Sequence, residues 1–252
     1  MNIAFLSAIL PVVILLFFIY KKDKYQPEPL GKLVLTFFVG CFSVLPALGM
    51  ELALGTFQPA DALASAAYNG FCVAGFCEEL CKLVLLYLVI WKSPHFDEYF
   101  DGIVYAAFLS LGFACIENIS YVLQDNDAIT VALFRGLLAV PAHFLFAVMM
   151  GYHFSLAKFD PSHRRGHLFR AFFYPFLMHG TYDSFLFASG VLSATDDETM
   201  AIPVIAIFII FIIFDVMMWR WGLKRIKRMQ ERSKEQNFDP ENPFEGFNWK
   251  NF

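Results

Sequence analysis

Charge is what this chain has least of. Asp, Glu, Lys and Arg make up 17% of its 252 residues, where a soluble domain carries about 25%. Hydrophobic residues make up 58%, which excludes a string of soluble domains. There is no Gly-rich phosphate loop, no internal repeat and no low-complexity stretch, so nothing points to nucleotide binding or a solenoid. Cysteine is scarce and badly placed for disulfides. Cys41, Cys72, Cys77, Cys81 and Cys115 all fall inside apolar runs, which excludes a disulfide framework across connecting loops. Cys77 and Cys81 are four apart and are read as small packing residues rather than metal ligands.

Long hydrophobic runs are abundant. Seven cover roughly residues 2–20, 31–54, 67–91, 103–123, 131–157, 169–189 and 200–222, each near the about 20 residues that span a bilayer core as a helix. The runs are continuous rather than alternating, so they predict helices and not a barrel. Residues 1–222 read as one all-α polytopic transmembrane bundle, and residues 223–252 as a basic helical extension with a Pro- and Asn-rich tail. The connections at 55–66, 124–130 and 190–199 contain no Lys or Arg, whereas the others carry Lys21, Lys22, Lys24, Lys92, Lys158, Arg164, Arg165 and Arg170. The positive-inside rule then puts the N-terminus outside and the C-terminus in the cytoplasm, as in a bacterial inner membrane. The first run has no basic stretch before it and no cleavage site after it, so it is read as a retained span. The basic extension is expected along the membrane surface.

Seven ionisable residues stand out over four successive runs: Glu78, Glu79 and Lys82 in the third, Glu117 in the fourth, His143 in the fifth, and His179 with Asp183 in the sixth. Each costs roughly 2.5–3.5 kcal/mol at a helix centre on insertion scales. Glu78 and Lys82 are four apart and share a helix face, while Glu79 points about 100° away. His179 and Asp183 have the same spacing, so the acid can orient the imidazole. Asn118 follows Glu117, and Tyr121 shares the face of Glu117. Measured from each run's midpoint, Glu78, Glu79, His143 and His179 lie at mid-depth, with Glu117 and Asp183 about 6 Å nearer the outside. A single polar cavity opening outward is expected. Other polar residues read as ordinary: Arg135 snorkelling to the outer interface, Glu51 reaching headgroups, Asp215 pairing near Arg220 or snorkelling, and Asp101 capping the fourth helix.

Two chemistries fit these residue types. One is amide hydrolysis: either Zn²⁺ held by the two histidines and carboxylates with an open position, or water activated by Glu78 or Glu79 without metal, with His and Asn donors on the oxyanion. The other is a proton relay in a transporter, and a non-catalytic membrane receptor is a third class.

The stretches FCEELCK (76–82), DGIVYAAFLSLGFACIENISY (101–121), FRGLLAVPAHFLFAVMMGY (134–152) and LMHGTYDSF (177–185), in this order, resemble the PrsW family of intramembrane proteases, related to the group containing the CAAX prenyl endopeptidases. The resemblance spans residues 76–185 and makes that stretch the expected catalytic core. It implies proteolysis of membrane proteins such as anti-sigma factors on the extracytoplasmic side, with Glu78 and Glu79 as the catalytic centre and His143, His179 and Glu117 in support. Members are classed as metalloproteases, so Zn²⁺ is an implied cofactor, with His143, His179 and Glu117 as its implied ligands; related enzymes work through glutamate without metal. Lys82, Asn118, Tyr121 and Asp183 are expected to position this centre. The implied partners are a membrane protein or peptide substrate and the bilayer, not nucleic acid.

Overall fold

The first helix, α1 (Ile3–Lys22), ends on Lys21 and Lys22 and is followed after a short connection by α2 (Leu30–Leu54), entered through Pro29. The structure, a computed structural model, describes residues 3–195 and 197–237. α3 (Ala62–Tyr68) begins where the Asp61 carboxylate accepts the Ala64 N–H at 2.8 Å, an N-cap. It runs through a π-helical turn (Asn69–Gly75) into α4 (Phe76–Ile90). After α5 (Asp101–Gln124), α6 (Ala128–Phe134) passes through a second π-helical turn (Arg135–Ala139) into α7 (Val140–Phe159). α8 (Arg164–Ser193) and α9 (Ala201–Gln236) complete the bundle. No strand occurs among the described residues.

All seven apolar runs are therefore helical. Five segments are long and apolar enough to cross a membrane: Phe5–Lys22, Leu30–Phe57, Asp101–Gln124, Ala128–Phe159 and Ala201–Gln236. The other two, residues 62–90 and 164–193, are the ones that carry Glu78, Glu79 and Lys82, and His179 and Asp183.

α5 and α7 form the centre. Both are buried on nearly every face, as expected of helices that are apolar all round. α1, α2 and α9 lie outside them and turn Leu10, Phe42 and Ile202 outward, a surface suited to lipid. Glycine permits the central contacts. A β-carbon on Gly151 of α7 would overlap the Gly102 carbonyl of α5, and one on Gly112 would overlap the Phe37 carbonyl of α2, so the backbones approach as small residues allow in membranes.

α9 has 36 residues, or about 54 Å of helix, more than a bilayer core requires. Its basic last turns bury one face: Ile226, Met229 and Ser233 are covered. The Phe100 N–H donates to Ser233 Oγ at 2.8 Å, and Gln230 and Gln236 donate to the Lys22 and Asp97 carbonyls at 2.6 and 2.7 Å. This extension thus packs on the α1–α2 and α4–α5 connections, while Lys227 on its other face stays exposed. The tail, residues 238–252, lies outside the described residues.

Candidate active site

Lys82 sits at the heart of the polar cluster. Its Nζ donates to Glu78 Oε2 and Glu79 Oε1, both at 2.9 Å, and lies 3.2 Å from His143 Nδ1 and 4.0 Å from the centre of the Phe113 ring. The i, i+4 spacing to Glu78 is legible in the sequence. The i, i+3 bond to Glu79 lets one ammonium hold both neighbouring carboxylates. Lys82 and Glu79 are fully buried and Glu78 is 6% exposed.

His179 on α8 bridges two acids. Its Nδ1 lies 2.9 Å from Glu79 Oε1 and its Nε2 lies 3.2 Å from Asp183 Oδ2. Its ring stacks on Phe146 with centroids 4.9 Å apart and meets the His143 ring edge-on at 5.3 Å. His143 receives the Lys82 ammonium at Nδ1, so its Nε2 is the nitrogen that donates, to Glu117 Oε2 at 2.7 Å. Ser110 Oγ donates to the His143 carbonyl at 3.0 Å and fastens α7 to α5 at this level.

Glu117 is the link to the outer layer. Its other oxygen, Oε1, pairs with Arg135 Nη2 at 2.9 Å. Arg135 Nε donates to Asn118 Oδ1 at 3.1 Å, and its guanidinium lies 3.8 Å from the Tyr121 ring centre. Arg135 therefore turns inward instead of snorkelling. A guanidinium flanked by a carboxylate, an amide and an aromatic face is better satisfied there than at a headgroup. Asn118 Nδ2 donates to the Ala8 carbonyl at 2.7 Å, so this amide ties α1 to α5 and does not face the centre. Asp215 Oδ1 is buried without a hydrogen-bond partner.

A cavity of about 620 Å³ opens beside these groups. It is lined by Glu78, Glu117, His143, His179, Asp183 and Arg135 at its base, and extends past Glu51, Tyr121, Asn69 and Gln124 toward the end of the bundle whose connections lack Lys and Arg. Glu51 faces this cavity rather than headgroups. Glu79 and Lys82 lie behind its wall. Two of its helical segments turn through π geometry just before their site residues, at 69–75 before Glu78 and at 135–139 before His143. A π-turn inserts a residue and re-aims the side chains beyond it, and such turns gather at functional sites.

Donor atoms of Glu78, Glu79, His143 and His179 lie within 4.8 Å of one another. Two imidazoles and two carboxylates suit Zn²⁺, and Glu79 Oε2 is buried without a hydrogen-bond partner. The residues therefore fit a metal in kind and spacing. Three of the four are already engaged by the Lys82 ammonium, which competes for the same lone pairs. Glu117 is not among these four; it reaches the group through His143.

Membrane-length helices around a buried Glu, His and Lys centre that opens to a cavity define a multi-pass α-helical membrane protein with a polar site inside the bundle. The chain belongs to the PrsW family: the sequence model described as PrsW family intramembrane metalloprotease matches residues 28–217. That range takes in α2 and most of the apolar part of α9, beyond the motifs between 76 and 185. Curated relatives agree. The chain is 35% identical to Protease PrsW of Clostridioides difficile strain 630 over 238 residues, covering 93% of this chain and 94% of that protein. It is 39% identical to Protease PrsW of Geobacillus kaustophilus strain HTA426, covering 72% and 79%, and 32% identical to Protease PrsW of Bacillus subtilis strain 168, covering 88% and 93%. No solved structure matches the chain.

Proposed function

We propose that this protein cleaves peptide bonds of membrane proteins with water activated by Glu78. The observation that carries this is the unequal placement of the paired glutamates: Glu78 lines the cavity, whereas Glu79 is fully buried behind it and bonded to Lys82 and His179. Substrate enters from the Lys- and Arg-free side, which the positive-inside pattern makes extracytoplasmic. A single-span membrane protein of the anti-sigma-factor type is the substrate class the family resemblance implies.

Glu78 takes a proton from water as the water oxygen bonds to the scissile carbonyl carbon, then returns that proton to the amide nitrogen as the C–N bond breaks. Lys82 steadies the Glu78 carboxylate. Glu79 holds the His179 ring at Nδ1, and the Nε2–H, on the longer 3.2 Å contact to Asp183, is shared with the developing oxyanion. Glu117 fixes the His143 ring, and Arg135 holds Glu117. Glu78, Glu79, His143 and His179 are the residues that would hold a Zn²⁺, with Lys82 displaced. Bound there, it would polarise the carbonyl and acidify its water.

Purified protein incubated with a panel of single-span membrane peptides tests this reading. Glu78→Gln should lower cleavage by at least about 10³-fold, and Glu79→Gln should lower it less, through His179. Cleavage by Glu78→Gln at the wild-type rate would sink the assignment. A chelator arm separates metal-bound from glutamate-activated water.

A further inference from the structure

At the far end of α5 from the cavity, two connections and the start of α5 bring acids together. Asp101 opens α5 about 24 Å along the helix from Glu117. Its Oδ2 accepts the backbone N–H of Asp97 at 3.0 Å and of Glu98 at 2.7 Å, so it closes the loop before the helix rather than capping the turn after it. Asp23 Oδ2 accepts the Glu28 N–H at 2.9 Å, and Glu98 Oε2 accepts from Asn237 Nδ2 at 2.7 Å. The Tyr105 hydroxyl donates to Glu28 Oε2. In each of the three central acids the second oxygen, Asp23 Oδ1, Glu98 Oε1 or Asp101 Oδ1, is buried with no hydrogen-bond partner. These side chains are 3%, 0% and 0% exposed.

The acids converge. Donor oxygens of Asp23, Glu98 and Asp101 lie within 4.8 Å of one another, and those of Glu28, Asp97 and Asp101 form a second trio within the same limit. Two oxygens on opposite sides of a Ca²⁺ at about 2.4 Å are about 4.8 Å apart, and Mg²⁺ draws them slightly closer. Backbone and amide N–H groups hold one oxygen of each central carboxylate and leave the other buried without a partner, as the outer hydrogen bonds of a metal site hold its ligands. Every donor is a hard oxygen, with no His or Cys, a set that selects Mg²⁺ or Ca²⁺ over Zn²⁺. Gathering carboxylates out of water is costly, and a divalent cation offsets that cost.

We propose that Asp23, Glu98 and Asp101, with Glu28 and Asp97 around them, bind a hard divalent cation, Mg²⁺ or Ca²⁺, that staples the α1–α2 connection, the α4–α5 connection and the end of α9. This site is separate from the glutamate and histidine centre, and its test does not depend on peptide cleavage.

Full-length protein in detergent is stripped with EDTA, freed of chelator, and melted with MgCl₂ or CaCl₂ against NaCl at matched ionic strength. One of the two divalent salts raises the melting midpoint by about 4 °C, and Glu78→Gln protein shows the same rise. Asp23→Asn with Glu98→Gln abolishes the rise; if that pair does not fold, Asp23→Asn alone weakens the midpoint's response at least tenfold in cation concentration. Tb³⁺ added to stripped wild type gives tyrosine-sensitised luminescence, and the ion that displaces it at the lower concentration is the preferred one. No divalent-specific rise and no luminescence in wild type would overturn the proposal. So would a rise that persists unchanged in the Asp23 and Glu98 variants, or one lost in Glu78→Gln, which would move the cation to the other centre.

Discussion

Lys82 decides what the polar centre can hold. A buried ammonium bonded to two carboxylates and an imidazole offsets part of the charge of the pair that the sequence places side by side, and it sits on the donors a metal would use. Removing it should expose both effects. Lys82→Met leaves two acids without their cation, which costs about 3–5 kcal/mol in a buried pair and lowers the melting midpoint by about 10 °C. The same variant, with the competing ammonium gone, should retain more Zn²⁺ after dialysis than wild type, measured by metal analysis. Equal metal content in both proteins would mean that the four donors do not act together. The spacing of Glu78 to Lys82 and of His179 to Asp183 can be read from the helix repeat alone. The bond from Lys82 to His143, 61 residues away, cannot, because it depends on how α4 meets α7. Arg135 is the residue that sequence reasoning places furthest from its true role: an arginine near the outer end of an apolar run looks like an anchor until the tertiary fold brings Glu117 and Asn118 to it.

Between elements, the bundle is set by backbone proximity as much as by side-chain bulk. α5 crosses α2 where Gly112 meets the Phe37 carbonyl, and crosses α7 where Gly102 meets Gly151. Gly112→Leu should force these helices apart and destabilise the protein by about 1–3 kcal/mol, seen as a lower melting midpoint. Gly31→Ala, at a position with nothing within 4 Å of a new β-carbon, should leave it unchanged. An equal response from both would show that the crossing tolerates expansion. The sequence marks Gly112 and Gly151 as small residues within spans. It does not reveal the two π-helical turns, since a one-residue excess in hydrogen bonding leaves the apolar pattern almost intact while rotating everything beyond it.

Across the whole molecule, α9 closes the end opposite the cavity. Its final turns reach the α1–α2 and α4–α5 connections through Gln230, Ser233, Gln236 and Asn237, so a segment that looks like a charged appendage is part of the scaffold. Ser233→Ala leaves the buried Phe100 N–H without its acceptor and should cost about 1–3 kcal/mol. Because that contact is remote from Glu78, peptide cleavage measured well below the melting point should be unaffected; a loss of turnover without a loss of stability would contradict this division of labour.

The sequence by itself determined the seven helical segments, because apolar length and the helix period are local properties. It also put Glu78, Glu79, His143 and His179 near the midpoints of their apolar runs, because position along a run is counted in the sequence. The fold alone decided which glutamate faces the cavity, that His143 meets Lys82 and Glu117, and that Asp23, Glu98 and Asp101 share one buried spot. Those outcomes depend on helix rotation and on contacts between connections far apart in the chain, and no period within one segment encodes them.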